Sequence, residues 1–375
     1  MTMRAIFLKI ALCLGLSAGI FYLWGCQPKE VTAAKIYIQS NNWDKAIEQL
    51  ELAVKTYPDN PEAHYLLGEA YARRGRFREM NEQFALSLQL SNKFENQIIS
   101  VREKYWTEKV DAALKAAEKK DYKKAEELLK LAILINPNNY EAHKKLALIY
   151  SSTHKLNLAL TIYKKLVEKY PDDLELEISL ANLYYSLKEY ENAIPILKHV
   201  LEIEPNHRDA LANLALCYDA LGKTHEAFQA YQKAIEANPL DQDLIFLFGV
   251  HQYMRHNYLE AIQLFQRVLE LNPDDFEATV NIGNAYLSLA ELEKKKLQKG
   301  NFNAHISVQE IQSIQKRALN YYKKSIPYYE RALEMQPDNA KLWRNLGVAY
   351  INIGQKEKGE QALLRSDELK TELGK

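Results

Sequence analysis

The sequence contains little glycine, proline and cysteine, and it carries no net charge. Glycine occurs 13 times and proline 11 times in 375 residues. So few helix-breaking residues favour long stretches of helix. Lysine plus arginine and aspartate plus glutamate number 49 each, so no excess of positive charge attracts the chain to nucleic acid. Hydrophobic residues make up 47% of the chain, which is enough for a packed core.

The positions of the three cysteines and the absence of known motifs limit which disulfides, catalytic sites and metal sites the chain can form. Cys13 lies inside an N-terminal apolar stretch and Cys26 ends it, so Cys217 is the single cysteine of the remaining chain and no disulfide framework can form there. No C-x-x-C, H-E-x-x-H, G-x-S-x-G or Walker motif occurs. His251 and His256 do not have the i, i+4 spacing of a helical metal pair. We therefore predict no catalytic residues, no metal site and no cofactor, and we interpret Cys217 as a buried, unreactive thiol.

The N-terminus combines basic residues with a short apolar stretch. Arg4 and Lys9 precede the apolar residues 10–25, which are fewer than the roughly 20 that a membrane-spanning helix needs. This order is typical of a secretory signal peptide. The stretch ends in Leu-Trp-Gly-Cys at residues 23–26, which resembles the bacterial lipobox, although Trp24 stands where that family usually has a small residue.

The lipobox resemblance implies that the thiol of Cys26 receives a diacylglycerol and that Cys26 becomes the mature N-terminus. The alternative is an uncleaved signal anchor from Ala5 to Trp24. Both interpretations assign residues 1–25 to a signal peptide or N-terminal membrane anchor. Both place the following residues in the bacterial cell envelope, facing the periplasm or the cell exterior. Because Gln27 rather than aspartate follows the cysteine, we favour an outer-membrane lipoprotein over an inner-membrane signal anchor.

The body of the chain shows an internal repeat of 34 residues. Five prolines recur at this interval: Pro137, Pro171, Pro205, Pro239 and Pro273. An alanine stands 12 residues before each of them. Small residues at fixed positions allow two helices to approach closely, and a proline ends the second helix. Segments such as WRNLGVAY at 343–350 resemble the tetratricopeptide repeat, with its pattern W-x2-L-G-x2-Y…A-x3-F…P.

The resemblance implies an all-α fold, a right-handed α-solenoid of about nine helix-turn-helix repeats. We number the repeats by their ranges: 27–60, 61–94, 106–139, 140–173, 174–207, 208–241, 242–275, an eighth from 276, and 340–373. Residues 26–275 then hold repeats one to seven, with an extra helical stretch at 95–105. Residues 276–375 hold repeats eight and nine with an insertion near 290–320, which places the second helix of repeat eight at about 318–335.

In this family the first helices of the repeats line a concave groove for partner peptides, to which positions 2, 5, 6, 9, 12 and 13 contribute. Asparagines occupy positions 6 and 9 of several repeats: Asn182, Asn213, Asn281, Asn284 and Asn345. A row of amides can hydrogen-bond the backbone of an extended peptide, and some tetratricopeptide grooves have a similar asparagine ladder. Alternatively, asparagine is simply common at these positions. Leu247 interrupts the row in repeat seven.

Repeat seven carries apolar residues at groove positions: Phe246, Val250, Tyr253 and Met254. Aromatic residues and methionine are enriched at protein interfaces, so we predict that this apolar patch contacts side chains of a partner. The alternative is that part of the set packs against neighbouring helices. The basic segment KKKLQK at 294–299 is interpreted as a solvated helix end, with a membrane surface or an acidic partner as the alternative.

The sequence thus predicts a non-catalytic scaffold, anchored in the bacterial envelope through an N-terminal lipid or anchor helix. It would bind protein or peptide partners in its groove and assist assembly of an envelope, pilus or secretion and export complex. One alternative is a structural protein that binds glycan or cell wall through its tyrosines and tryptophans. Another is a regulatory subunit of an envelope enzyme. No nucleic-acid partner is expected.

Overall fold

The computed structural model describes residues 28–303 and 307–373. The signal peptide and the lipidation site at Cys26 lie outside the described residues, so both stay predictions. Throughout those two ranges the regular structure is helical and no strand occurs. None of the helices described there is both long enough and apolar enough to cross a membrane.

Eighteen α-helices follow one another along the described residues. They are α1 (Lys29–Gln39), α2 (Trp43–Thr56), α3 (Pro61–Arg73), α4 (Phe77–Leu90), α5 (Glu95–Glu118), α6 (Tyr122–Ile135), α7 (Glu141–Ser152), α8 (Leu156–Lys169), α9 (Leu174–Ser186), α10 (Tyr190–Ile203), α11 (Arg208–Ala220), α12 (Thr224–Ala237), α13 (Gln242–Met254), α14 (Tyr258–Leu271), α15 (Phe276–Asn303), α16 (Val308–Met335), α17 (Ala340–Asn352) and α18 (Lys356–Leu373). They form nine pairs, and the predicted all-α repeat fold is confirmed.

The turn inside each pair has a left-handed residue at its centre, except in the eighth pair, whose turn is not fully described. The residues with positive φ are Asn41, Gly75, Lys120, His154, Lys188, Gly222, His256 and Gly354. This conformation ends an α-helix by satisfying its last carbonyl groups. Glycine adopts it without strain, whereas a side chain at the same place makes it less favourable. The pairs therefore share one turn geometry, which different residue types adopt in different repeats.

Side-chain caps begin many of the first helices. Asn60, Asp173, Asp241 and Asn339 each precede a first helix and accept a hydrogen bond from a backbone N–H of its first turn. These caps satisfy donors that have no partner within the helix. Each of these four caps lies two residues after a proline. One short segment therefore forms both the turn between repeats and the start of the next helix.

Small residues bring the two helices of a pair together. A Cβ atom added to Gly249 of α13 would lie 2.7 Å from the Cε1 atom of Phe265 in α14. At Gly68 of α3 the corresponding atom would lie 2.5 Å from the ring of Phe84 in α4. The large ring of the second helix therefore fills the space that the missing side chain leaves. Both rings are fully buried, and such close packing stabilises the pair.

The described chain divides into two compact units between Leu166 and Val167, within α8. In the first unit, Leu50, Met80 and Phe84 belong to one buried cluster. In the second unit, one buried cluster includes Phe265 and Ile282. The division by repeat type at residue 275 is not tested by this clustering and stays a prediction.

Two insertions lengthen helices and add no separate element to the described chain. Residues 95–105 form the N-terminal part of α5, which spans 24 residues. In repeat eight, α15 and α16 span 28 residues each. The prediction that the second helix of this repeat begins near 318 was wrong, because α16 begins at Val308. Ile314 and Ala318, one turn apart, are buried, so the apolar face of this helix continues into the insertion.

Candidate functional site

Two of the predicted groove asparagines join adjacent first helices. Asn182 lies on α9 and Asn213 on α11, and Nδ2 of Asn213 donates a hydrogen bond to Oδ1 of Asn182 at 2.5 Å. Asn182 is exposed and Asn213 is partly buried. The bond uses the amide oxygen of Asn182 and the amide nitrogen of Asn213. Nδ2 of Asn182 and Oδ1 of Asn213 take no part in it.

A second pair repeats this arrangement in repeats eight and nine. Nδ2 of Asn345 on α17 donates to Oδ1 of Asn284 on α15 at 3.1 Å. The hydroxyl of Tyr329 on α16 donates to the same oxygen at 3.0 Å. Tyr329 is fully buried, and burial raises the pKa of its hydroxyl far above the ordinary value. A neutral hydroxyl is the form that donates, so the amide of Asn284 is held with its oxygen towards the protein.

We call these two contacts the amide pairs. In both, the acceptor is the asparagine at position 9 of one repeat and the donor is the asparagine at position 6 of the next. Asn281 belongs to neither amide pair; it lies on α15 and is partly buried. Four of the five predicted asparagines are thus brought together two by two. Whether they bind a ligand stays a prediction.

The apolar patch of repeat seven is partly core. Phe246 packs on Phe265, with 5.5 Å between ring centroids, and Val250 and Tyr253 contact the same buried cluster. The hydroxyl of Tyr253 lies 3.2 Å from Oγ of Ser288. Met254 differs, because 67% of it is exposed. Packing against neighbouring helices, the alternative interpretation, therefore applies to part of the set, and Met254 offers the most accessible apolar surface.

Sequence reasoning did not single out a polar cluster beside this patch. Oδ1 of Asp219, at groove position 12 of repeat six, lies 2.7 Å from Nδ1 of His251 and 3.3 Å from Nη2 of Arg255. The His251 side chain is almost fully buried. Burial acts to raise the pKa of Asp219, but the hydrogen bonds to His251 and Arg255 outweigh it and lower the pKa. The position of Asp219 within the 34-residue period was the signal that could have identified it.

The other candidate reactive groups of the described residues are a cysteine thiol and possible metal-binding side chains. Cys217 is fully buried, and burial raises the pKa of its thiol to about 11. Its interpretation as a buried thiol is therefore confirmed. Among the described residues, no group of three or more histidine, cysteine, aspartate or glutamate side chains is arranged to hold a metal ion.

Comparison with protein families agrees with the helix pairs. Six models of the tetratricopeptide repeat match the chain, at residues 34–75, 116–183, 172–239, 247–294, 316–339 and 328–361. This chain is a tetratricopeptide repeat protein. No curated protein matches it significantly. The matched segments lie in both compact units and include the four asparagines of the two amide pairs.

Solved structures of tetratricopeptide repeat proteins are similar in fold. A protein from Parabacteroides merdae ATCC 43184 is 20% identical, with 71% of this chain and 93% of that chain covered and a TM-score of 0.48. YrrB, described as a TPR protein with an unusual peptide-binding site, is 22% identical over 55% and 91%, with a TM-score of 0.42. MamA from Desulfovibrio magneticus RS-1 is 19% identical over 45% and 96%, with a TM-score of 0.41.

Proposed function

We propose that this tetratricopeptide repeat protein is a non-catalytic scaffold that binds an extended segment of a partner protein along the first helices of its second unit. The observation that carries the proposal is the pair of equivalent amide contacts. Both use the oxygen of the position-9 asparagine and the nitrogen of the position-6 asparagine. Each amide pair therefore offers one NH2 group and one carbonyl oxygen, the complement of a peptide unit.

The surface of the protein between the two amide pairs would contact the central part of the proposed ligand. Repeat seven lies between them and presents Met254 beside Val250 and Tyr253. An apolar side chain of the ligand would cover Met254, while the amide pairs bind the backbone on either side. Backbone contacts supply affinity with little sequence preference, and the apolar centre supplies selectivity.

The spacing of the repeats bounds the length of this segment. The amide pairs are three repeats apart, and packed helices lie about 8–10 Å from axis to axis. Three such steps amount to roughly 25–30 Å. An extended chain covers about 3.3 Å per residue. The bound segment would therefore have about seven to nine residues between the two amide pairs.

We further propose that the scaffold acts in the bacterial cell envelope, in assembly of an envelope, pilus or secretion and export complex. The sequence around Arg4, Lys9 and Cys26 supports this part of the proposal. It is tested by feeding radioactive palmitate to cells that express the chain or its Cys26→Ser variant. A lipoprotein loses the label on substitution, whereas equal labelling of the variant contradicts lipidation at Cys26.

Photo-crosslinking in living cells tests the groove. A probe placed at Met254 should give a discrete protein adduct, while a probe at Lys233, exposed on the second helix α12, should not. Adducts of the same mass from both positions, or from neither, would contradict groove binding. A glycan adduct from Met254 would instead support the cell-wall alternative.

A peptide identified in this way then allows a quantitative test. Asn182→Ala removes the exposed member of the first amide pair and should weaken peptide binding about three- to tenfold, the usual effect of one lost hydrogen bond. Asn206→Ala, at an exposed position between α10 and α11, is the matched control and should leave affinity unchanged. Fluorescence anisotropy with the labelled peptide measures both. Equal affinities of the Asn182→Ala variant and the control would refute the role of the amide pairs.

A further inference from the structure

The long helices of repeat eight continue beyond the neighbouring first helix. Helices α15 and α16 have 28 residues each, whereas α17 has 13 and ends at Asn352. Oδ1 of Asn352 accepts a hydrogen bond from Nζ of Lys294 at 3.1 Å. From this contact onwards the chain continues along α15 past the end of α17. We use the name basic hairpin for residues 294–297 of α15 together with residues 307–324, which are the N-cap and the first part of α16.

The basic hairpin has its own internal contacts. Ile314 and Ala318 are buried. Glu293, just before the hairpin, is almost fully buried and accepts hydrogen bonds from Nε of Arg317 at 2.8 Å and Nζ of Lys296 at 2.5 Å. Burial acts to raise the pKa of Glu293, but these two bonds outweigh it and lower the pKa. An ionised Glu293 therefore ties α15 to α16 and keeps the hairpin as one body.

Positive charge dominates the basic hairpin, although the whole chain is neutral. Glu310 is its one acidic residue within these described ranges. Its cations are Lys294, Lys295, Lys296, Lys316, Arg317, Lys323 and Lys324. Counting Glu291 and Glu293 with them, the seven cations meet three carboxylates, so a net charge of four remains. Because the whole chain has no net charge, its other residues together carry a net charge of minus four.

An exposed stripe on α16 mixes this charge with apolar surface. Lys316, Leu319 and Lys323 are spaced three and four residues apart, so they share one helix face, and all three are exposed. Lys295 on α15 is exposed as well. A face with lysines beside an exposed leucine fits the boundary between lipid headgroups and acyl chains, where lysine stems extend their charge outwards.

We propose that the basic hairpin docks on an anionic lipid surface. Lysines act as separate point charges, which suits a diffuse layer of phosphates. Bidentate recognition of a carboxylate or of a nucleic-acid phosphate would instead favour arginine. Arg317, the arginine of the hairpin, already donates to Glu293. The docking surface is separate from the amide pairs, so it does not depend on the proposed peptide binding.

Lysine acylation of the full chain tests the proposal residue by residue. The protein is mixed with vesicles of phosphatidylcholine alone or with phosphatidylglycerol added, treated briefly with an amine-reactive reagent and digested for mass spectrometry. Lys295, Lys316 and Lys323 should react at least fivefold more slowly on the anionic vesicles, while Lys233 reacts equally on both. About 0.5 M salt should abolish the protection, because it shortens the range of electrostatic attraction. The N-terminal apolar stretch does not obscure this local readout.

A double variant sharpens the test. Lys316→Gln/Lys323→Gln should weaken the attraction about 25-fold, since one lysine near an anionic surface contributes about fivefold, and Lys295 should lose its protection. Lys198→Gln/Lys233→Gln, which removes two exposed lysines from α10 and α12, should leave it protected. Equal acylation on both kinds of vesicle would overturn the proposal. Protection by soluble polyglutamate but not by anionic vesicles would overturn it too and indicate an acidic protein partner.

Discussion

Replacing Gly249 by alanine tests whether close helix approach determines the stability of repeat seven. The new Cβ atom would lie 2.7, 2.9 and 3.1 Å from three atoms of the Phe265 ring. Ordinary contacts begin near 3.4 Å, so the ring must move by several tenths of an ångström. The ring is fully buried and also contacts Phe246 at 5.5 Å between centroids. Overpacking of this kind destabilises by about 1–3 kcal/mol.

Alanine also favours helix over glycine by about 0.5–1 kcal/mol, which offsets part of the cost. The expected net loss is about 0.5–2 kcal/mol. Because a repeat array does not unfold in one step, the loss should be measured locally, by hydrogen exchange of the α13 and α14 amides. A loss of that size speeds exchange about two- to thirtyfold. Unchanged or slower exchange in Gly249→Ala would refute the steric argument.

The chain itself suggests the compensating change. In repeat five, Ala181 occupies the position that corresponds to Gly249, and Leu197 corresponds to Phe265. Both are buried. Gly249→Ala/Phe265→Leu should therefore cost less than the sum of its single changes, by about 1 kcal/mol. Gly222→Ala is the matched control, because a Cβ atom added there would meet no atom within 4 Å and its cost would come from the φ of 70° alone. That cost should be independent of Phe265→Leu. Strict additivity of the Gly249 and Phe265 changes would contradict the proposed contact.

Three further predictions concern single polar groups. Hydrogen bonds from Lys130 and Lys155 lower the pKa of Glu126 to about 2, below the unfolded value of about 4.3. After a discount for solvent screening, this shift contributes about 1–2 kcal/mol of stability. The contribution is present above pH 4.3 and is lost as the pH falls towards 2. Hydrogen exchange of the α6 amides, corrected for the intrinsic rate at each pH, should show a smaller loss of protection between pH 5 and 2 in Lys155→Met than in the unchanged chain. An unaltered pH dependence in the variant would refute this. Cys217 should resist a thiol reagent in the native protein and react in denaturant; rapid native labelling would show that it is accessible. Asp219→Ala should destabilise α13 by about 2 kcal/mol, because it removes the partner of a buried histidine, and unchanged exchange of the α13 amides would contradict this.

The sequence could predict on which helices the candidate site residues lie, but not how those residues contact one another. The 34-residue period placed Asn182, Asn213, Asn284 and Asn345 on the first helices, because the period specifies the helix face. It did not indicate that they contact each other in pairs, since that depends on the packing of helices from different repeats. The partial burial of Tyr253 has the same origin. A groove position in the sequence is not yet an exposed position in the folded chain.

The sequence by itself determined the helix pairs, their turns and their order, because these follow from local signals: the period of apolar and small residues, the caps, and the prolines that end second helices. Tertiary structure alone decided which end of each amide faces the protein. For Asn284, the hydroxyl of Tyr329 holds the amide oxygen towards the protein. It also decided that α15 and α16 each continue into the insertion, as far as Asn303 and from Val308. These features depend on contacts between residues distant in sequence, and no local pattern encodes them.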